Sequence, residues 1–404
     1  MQTSPLVTIM NDIIPQARGF LSTSQPEKAL EILTPHIASN SSSPEFLAIL
    51  GETLLENNEL KQAYNVLIQA CELDPDASLG VEKFLYLGQI IGGADGLNYI
   101  NTGLNKLNEI LANINEGSVD EQELAKSVYR DVDEYKAWVI KKLNSGIFAS
   151  IEIWMTDLCM EPEAESKCNE LIDYSLSIDA ENPESLSILS SIRISQQRQQ
   201  EAVEALNKSW ELFKLQKTKL EDFANTKETK EGGSGNGEDA FEVGLEYVEL
   251  IQPLVTLSRY AIELEQYDTA IDIASNIQDI NDSILDAFYI EALANLFKAK
   301  QMSTAKIATN SDEFDDYREL EISQLKNTPE IKQLLADSRL ILTSAYKIVN
   351  SELGDENDPV LVQQVNELLN QLGGPIMSEL MPKRENLDDE DVDWEAEIVS
   401  GDEE

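Results

Sequence analysis

Small and large apolar residues recur along this chain at the spacing of paired antiparallel helices. The clearest copy covers residues 44–77, with Gly51 and Ala63 as the small residues at its eighth and twentieth positions. Small side chains there let two helices approach closely, and larger apolar residues fill the space around the contact. Those larger residues are Leu47, Leu50, Leu54 and Leu67. This copy predicts one helix–turn–helix unit of a repeated array.

The same pair of small positions returns elsewhere in the sequence. A step of 34 residues back from Gly51 reaches Ala17, and a step of 37 residues forward reaches Gly88, whose copy is degenerate in its second half. The small residues of three further copies are Thr156 and Cys168, Ser190 and Ala202, and Ser258 and Ala270. Six copies in register predict an all-α fold, a tetratricopeptide-repeat (TPR) right-handed superhelical solenoid without β-strands.

Two stretches interrupt the repeats and suggest a division into blocks. An N-terminal TPR block of residues 1–213 is predicted to contain an inserted long helix at about residues 116–143, where Leu, Val and Tyr follow a helical spacing. Residues 214–240 are charged and rich in glycine towards their end, which is typical of a flexible linker. A C-terminal TPR-like helical block is then predicted for residues 241–374, ending at a Gly-Gly-Pro sequence.

The last part of the chain, residues 375–404, is predicted to be a disordered acidic tail. Its residues 385–404 contain eleven Asp or Glu and neither Lys nor Arg. Such a composition cannot bury enough apolar surface to fold. The tail would either keep the protein in solution or act as an arm, carrying Trp394, that covers basic segments of a bound partner.

Negative charge dominates the composition. The chain has 75 Asp and Glu against 30 Lys and Arg, a formal net charge of −45. This charge repels nucleic-acid backbones and anionic membranes, and it attracts basic proteins. The simpler alternative is that the charge only maintains solubility. No basic stretch precedes an apolar one at the N-terminus and no run of eighteen apolar residues occurs, so we expect neither a signal peptide nor a membrane span.

The sequence lacks the residue combinations that catalysis and metal binding need. His36 is the single histidine, which excludes most triads of nucleophile, base and acid. The three cysteines, Cys71, Cys159 and Cys168, have no zinc-site spacing and suit a reducing compartment. The glycines at residues 232–237 lack the Lys-Ser/Thr of a phosphate-binding loop. We therefore expect a protein that is not an enzyme, with no cofactor and no catalytic, cofactor-binding or metal-binding residues.

Acidic residues occupy the positions that line the groove of a TPR array. In the copy at residues 44–77 these include Glu45, Glu52 and Glu56, and in the copy with Thr156 they include Asp157 and Glu161. Acids among apolar side chains suit an extended basic peptide. TPR co-chaperones that grip the C-terminal carboxylate of a heat-shock protein need Lys and Asn where this chain has Ala48 and Glu52, which argues against that function.

One segment has a more particular likeness. The sequence Ile-Glu-Ile-Trp-Met-Thr-Asp-Leu-Cys at residues 151–159, followed by Glu-Pro-Glu-Ala-Glu at residues 161–165, resembles the dedicated assembly chaperones of the large-subunit ribosomal protein uL-four. These are acidic TPR proteins. The resemblance extends to the charged interruption and the acidic tail with a tryptophan. With the groove acids, it predicts client binding by Glu45, Glu52, Glu56, Glu152, Trp154, Asp157, Glu161, Glu163 and Glu165.

The resemblance implies a client whose long, basic internal loop lies along the solenoid. Capture would begin in the cytoplasm and release would follow in the nucleus, on the pre-ribosome, with the chaperone acting as a monomer. Two alternatives stay open at this stage. Trp154 could pack in the core, and the acids near it could be a solvated turn. The protein could also be a TPR adaptor or scaffold that joins larger complexes, in which case its acidity would be incidental.

Overall fold

A computed structural model describes residues 5–118, 131–228, 237–304, 317–351, 354 and 357–380. Within these residues the regular secondary structure is helical, without a β-strand, as the repeat pattern predicts. Most of the predicted acidic tail, including Trp394, lies outside the described residues. The glycine-rich stretch at residues 229–236 and part of the predicted inserted helix, residues 119–130, also lie outside them.

The chain divides into two compact units, Met1–Leu212 and Phe213–Glu404. The helices of the first unit are α1 Pro5–Ser22, α2 Pro26–Leu33, α3 Ile37–Asn40, α4 Pro44–Glu56, α5 Leu60–Leu73, α6 Glu82–Ile91, α7 Gly93–Asn115, α8 Val132–Met155, α9 Ala164–Ile178 and α10 Pro183–Ser195, followed by α11 Gln199–Glu228, which continues past the boundary. Consecutive helices of this unit pack as antiparallel pairs around one apolar core cluster after another.

The second unit continues with helices of the same kind. They are α12 Gly237–Glu249, α13 Ile251–Glu263, α14 Tyr267–Ile280, α15 Leu285–Thr304, α16 Pro329–Val349, α17 Pro359–Gln371 and α18 Met377–Leu380. The predicted copy in α13 and α14 is confirmed, since Ser258 and Ala270 are fully buried. The helix stop is also confirmed, because Gly373 and Gly374 follow α17 with φ of 98° and 74°.

Close approach of α4 and α5 explains why the best copy needs its small residues. A Cβ added at Gly51 would lie 2.5 Å from Leu67 Cδ2, which no real side chain tolerates. Ala63 and Leu67 have no exposed surface, and Leu47, Leu50 and Leu54 are buried around the contact. The helix begins with Ser43, whose side chain accepts the Phe46 N–H, followed by Pro44 in the first turn. The sequence register of this copy is therefore confirmed.

The turn between paired helices repeats a backbone motif that the sequence pattern had not predicted. At the fifteenth position of four copies a residue other than glycine adopts a left-handed backbone, with φ of 53° to 60°. The next residue donates its N–H to the carbonyl five residues earlier at 2.8 Å, the Schellman bond that ends a helix. The four residues are Ser24, Asn58, Gln197 and Glu265.

The predicted copy around Thr156 is wrong for its first helix and right for its second. Cys168 and Ile172 are buried in α9 as expected, but α8 ends at Met155. Residues 156–163 therefore form a connection of eight residues, whereas the copy at residues 44–77 uses three. The close approach of α8 falls earlier, at Gly146, where a Cβ would lie 2.7 Å from Leu104 Cδ2.

Two other sequence boundaries differ from the structure. Gly117, with φ of 70°, ends α7, so the predicted long helix does not begin at residue 116; residues 132–143 form the first half of α8. Residues 214–228, which were predicted as linker, continue α11. They remain helical because Lys217 and Leu220, one turn apart, are both buried on one face of the helix.

A buried ion pair fixes the link between α5 and α6. The Lys83 Nζ atom lies 2.7 Å from Asp74 Oδ2, and both residues are buried. Burial alone raises the pKa of Asp74, but hydrogen bonds from Lys83 and from the Leu79 and Ser78 amides outweigh it and hold the pKa below its usual value. Lys83 also donates to the Leu79 carbonyl at 3.0 Å. Each charge thus has several partners.

We predict that Ala63→Glu strongly destabilises the first unit. The variant places a carboxylate in the contact between α4 and α5, and burying an unpaired charge costs at least about 2 kcal/mol. Thermal unfolding followed by circular dichroism measures the loss. Asn65→Glu, at an exposed position of the same helix, is the control and should leave the midpoint nearly unchanged. Equal midpoints for Ala63→Glu and the parent would contradict the packing described.

We also predict that Asp74→Asn destabilises the protein in a pH-dependent way. Removing one partner of a buried pair costs about 3–5 kcal/mol. Because the pKa of Asp74 is lowered on folding, its contribution is complete above its unfolded pKa and is lost as the pH falls through the folded value. The gap in urea stability between parent and variant should therefore shrink below about pH 4. A gap that stays constant to pH 3, or one matched by the exposed control Asp76→Asn, would contradict this account.

Candidate functional site

Three of the candidate acids lie on α4. Glu45 follows Pro44 in the first turn, where a carboxylate is favoured by the helix dipole, and its side chain is exposed. Glu56 ends the helix and is also exposed. Glu52 differs from both, because its side chain is half-buried. The structure thus separates two free surface acids from one that is partly enclosed.

Glu52 forms a hydrogen bond that joins two helix pairs. The Tyr86 hydroxyl, on α6, donates to Glu52 Oε1 at 2.9 Å. Burial raises the pKa of the Glu52 carboxyl; the Tyr86 bond and the cations Lys142 and Arg18 lower it, and Glu82 raises it. The pKa remains above its usual value. Burial and the neighbouring carboxylates also raise the pKa of Tyr86, so its hydroxyl stays available as a donor.

Trp154 lies in the last turn of α8, and the structure shows what it contacts. Ile151 and Ile153, which precede it, are buried in the apolar core of the first unit. Trp154 is half-buried and packs against that core, while Glu152 is exposed. Part of the Trp154 ring therefore packs in the core, which was one of the two alternatives from the sequence. The rest of the ring is accessible.

Asp157 has a structural contact that the sequence pattern had not predicted. Its Oδ2 atom accepts the N–H of Gly93 at 2.7 Å, at the start of α7 and 64 residues away along the chain. A Cβ at Gly92 would lie 2.5 Å from the same oxygen, so only glycine leaves room for it. Asp157 therefore anchors the connection between α8 and α9 to the positive end of α7. It does not project from a first helix, as the sequence register had implied.

Three acids at the end of this connection and in the first turn of α9 point outwards. Glu161, Glu163 and Glu165 are exposed, and within the described residues their carboxylates have neither a hydrogen bond nor an ion pair. Met160 is 91% exposed, which is high for such an apolar side chain. The segment therefore presents free acids beside one apolar side chain.

Helix α6 lies between the two groups of candidate residues. Tyr86 on α6 donates to Glu52 of the α4 group, and Gly93, the first residue of α7, donates to Asp157 of the α8–α9 group. Sequence reasoning missed Tyr86 and Arg18, although a signal existed: Arg18, Glu52 and Tyr86 are each 34 residues apart. This relation was hidden because the repeat copy had been placed by the 37-residue step from Gly51 to Gly88. Both groups consist mainly of carboxylates, which can form ion pairs and hydrogen bonds with cations.

The described residues also bear on three other possibilities: a reactive thiol, a metal site and a membrane span. Burial raises the pKa of the Cys71 thiol to about 12 and that of Cys168 to about 11, so both stay protonated; Cys159 is exposed. No group of three His, Cys, Asp or Glu side chains is placed to hold a metal in this part of the chain. Among the helices that the structure describes, none has the length and apolar character needed to cross a membrane.

Comparison with known proteins identifies relatives over most of the chain. Residues 283–393 match the family model described as ACL4 C-terminal domain. A "probable assembly chaperone of rpl4" from Schizosaccharomyces pombe is 28% identical over 354 residues, which covers 86% of this chain and 84% of the relative. A protein of the same name from Emericella nidulans is 31% identical over 214 residues, half of this chain and 49% of that relative.

A solved structure has the same fold. The assembly chaperone of RpL4 (Acl4), residues 1–338, superposes with a TM-score of 0.56 and 23% identity, covering 74% of this chain and 99% of that one. This likeness supports the TPR-type solenoid. The sequence matches confirm the resemblance: the chain is similar to proteins named as probable assembly chaperones of rpl4, and its residues 283–393 match the model of the ACL4 C-terminal domain.

Proposed function

We propose that this protein is a dedicated chaperone of rpl4, the uL-four protein of the large ribosomal subunit. It captures newly made rpl4, shields the long basic internal loop of that protein, and escorts it until pre-ribosome assembly. The observation that carries the proposal is homology, over 86% of this chain and 84% of the relative, with a protein named for assembling rpl4. The fold agrees with it, because a TPR-type array holds extended peptides.

Charge supplies the physical basis for capture. A net charge of −45 speeds the encounter of the chaperone with a basic client. The same charge repels nucleic acid from the chaperone. The exposed acids of the first unit provide the contacts, each worth about 0.2–1 kcal/mol when it pairs with Lys or Arg at the surface. Many weak pairs hold an extended loop without fixing it too tightly for later release.

The proposed binding surface comprises both groups of acids in the first unit. Glu45 and Glu56 of α4 and Glu161, Glu163 and Glu165 after α8 are exposed and available to cations. Glu152 is exposed beside the accessible part of Trp154, where an apolar client side chain could pack. Asp157 contributes by anchoring the connection to α7. This division into contacting and anchoring residues goes beyond what the sequence pattern predicted.

We further propose where and how the chaperone acts. Capture in the cytoplasm and release in the nucleus follow from the function of an escort for a ribosomal protein. The acidic tail, with Trp394, covers basic segments that the first unit leaves free. The protein acts as a monomer. It works by binding its client, without catalysis or a cofactor, and it does not contact nucleic acid or membrane directly.

We predict that reversing four exposed acids of the surface weakens rpl4 binding by well over tenfold. The variant is Glu45→Lys, Glu56→Lys, Glu161→Lys and Glu163→Lys. It replaces four attractions by four repulsions, and each 1.4 kcal/mol corresponds to about one decade in Kd. Isothermal titration calorimetry with recombinant rpl4 measures the change. None of the four carboxylates has a hydrogen bond or an ion pair within the described residues, so helicity should stay near the parent value. Glu45 and Glu163 lie at helix N-termini, where each reversal costs about 0.3–1 kcal/mol, so the melting temperature should fall only slightly.

A matched variant separates local contacts from overall charge. Glu246, Glu263, Glu319 and Glu379 are exposed acids of the second unit, and reversing them changes the net charge equally, from −45 by +8 to −37. This control should weaken binding by only about threefold or less. Equal losses in the two variants would contradict the proposed surface. Failure of the parent protein to bind rpl4 would contradict the proposed function.

A further inference from the structure

Glu52 is the one candidate acid on α4 that the fold partly encloses. Its side chain is half-buried, and Tyr86 donates the one hydrogen bond that its carboxylate accepts within the described residues. The nearest cations, Arg18 of α1 and Lys142 of α8, influence the carboxyl electrostatically but form no ion pair with it in this part of the chain. The enclosed charge therefore has one neutral partner, in contrast to the fully partnered pair of Asp74 and Lys83.

An enclosed carboxylate with one neutral donor is poorly compensated. Partial removal of water costs free energy that a single phenol hydrogen bond does not restore. An ionised carboxylate offers about four acceptor positions, so the bond from Tyr86 leaves room on Glu52 for a second donor. A cation that reaches them gains a charge-assisted bond in a setting less screened than the open surface.

We propose that Glu52 and Tyr86 form a receptor site for a single Arg or Lys side chain of the bound segment, in which Tyr86 is a positioning residue that holds the carboxylate in place. The inference rests on the proposed function for its client, but the site itself follows from this geometry. An arginine suits it best, because its planar guanidinium can donate two parallel bonds to one carboxylate. Arg18 and Lys142 act on the same carboxylate without forming an ion pair with it, so they reduce its attraction for the incoming cation but do not occupy its oxygens.

The site should respond to pH differently from the exposed acids. The titratable and charged groups that act on Glu52 are Arg18 from α1, Glu82 and Tyr86 from α6, and Lys142 from α8, and Glu56 acts on Tyr86. Because burial raises the pKa of Glu52, this carboxyl is protonated at a higher pH than a carboxyl with the usual pKa of glutamate, and it then no longer attracts a cation. Tyr86→Phe removes a bond to the ionised form, so it should raise that pKa further.

The test uses the full-length protein with three single variants and one double variant. Glu52→Gln removes the charge of the site, and Tyr86→Phe removes its donor. Glu56→Gln is the control, because it removes an exposed acid one turn further along the same helix. The probes are recombinant rpl4 and a twelve-residue synthetic peptide of Arg, Gly and Ala. Fluorescence anisotropy gives Kd between pH 7.5 and pH 5, and melting temperatures report folding.

We expect Glu52→Gln to weaken the binding of both probes about tenfold or more and Glu56→Gln about threefold or less. Tyr86→Phe should weaken binding at pH 7.5 and move the acid limb of the profile to higher pH. The double variant of Glu52→Gln and Tyr86→Phe should bind no more weakly than Glu52→Gln alone. If Tyr86→Phe fails to fold, the comparison of Glu52→Gln with Glu56→Gln over the same pH range decides.

The two probes separate the inference from the proposed function. If the parent binds the peptide but not rpl4, and the Glu52 and Tyr86 variants behave as expected, the client assignment is wrong and the cation site stands. If the parent binds rpl4 but Glu52→Gln matches Glu56→Gln and the pH profile of Tyr86→Phe is unmoved, the cation site is overturned while the client stands. If the parent binds neither the peptide nor rpl4, both the cation site and the proposed function are overturned.

Discussion

The close approach of paired helices at small residues is the constraint from which the rest of this structure follows. At Gly51 the backbone of α4 lies against Leu67 with no room for a Cβ, and at Gly88 a Cβ would lie 2.7 Å from the Gly96 carbonyl of α7. Such contacts bury one side of each helix and leave the other for solvent or a partner. The acids can therefore be numerous without disturbing the core, because they occupy the side that packing does not use.

The same packing explains why a few acids form hydrogen bonds within the fold while most are exposed to solvent. Most of the candidate carboxylates are exposed and add to a diffuse negative field. Two of them form hydrogen bonds to a neighbouring part of the helical array: Glu52 accepts from the Tyr86 hydroxyl, and Asp157 accepts from the Gly93 N–H. Helix α6 brings both contacts about because it stands between α4 and the α8–α9 connection. The proposed binding surface thus contains two carboxylates whose positions are fixed by contacts within the fold.

The repeat register was predictable wherever the copies keep their standard length. Gly51 with Ala63, and Ser258 with Ala270, could be placed from spacing because close packing permits few side chains there. The backbone conformation of the turns escaped prediction, since Asn58 and Gln197 adopt a left-handed backbone without being glycine. The end of α8 also escaped it, because the small residues of α9 fit the register although the connection before them is longer. The resemblance to the rpl4 chaperones, read from the segment around Trp154, agrees with the relatives that sequence comparison finds.

The contacts within the site depended on long-range structure. Spacing alone does not reveal that Asp157 reaches Gly93 across 64 residues, or that Gly92 is needed to admit its carboxylate. The 34-residue relation of Glu52 and Tyr86 was present in the sequence, yet its meaning required knowing that their helices are neighbours. Burial then separated Glu52 from Glu56, two acids of the same helix that look alike in sequence.

The most direct test of the central claim is the affinity for rpl4 as a function of salt concentration. If an acidic TPR-type solenoid captures a basic client mainly by charge, Kd should rise steeply between 50 mM and 500 mM NaCl, because the screening length falls from roughly 14 Å to roughly 4 Å. A tight complex whose Kd is nearly constant across that range would contradict the account. It would show that shape and apolar contact, and not the charge of the solenoid, hold the client.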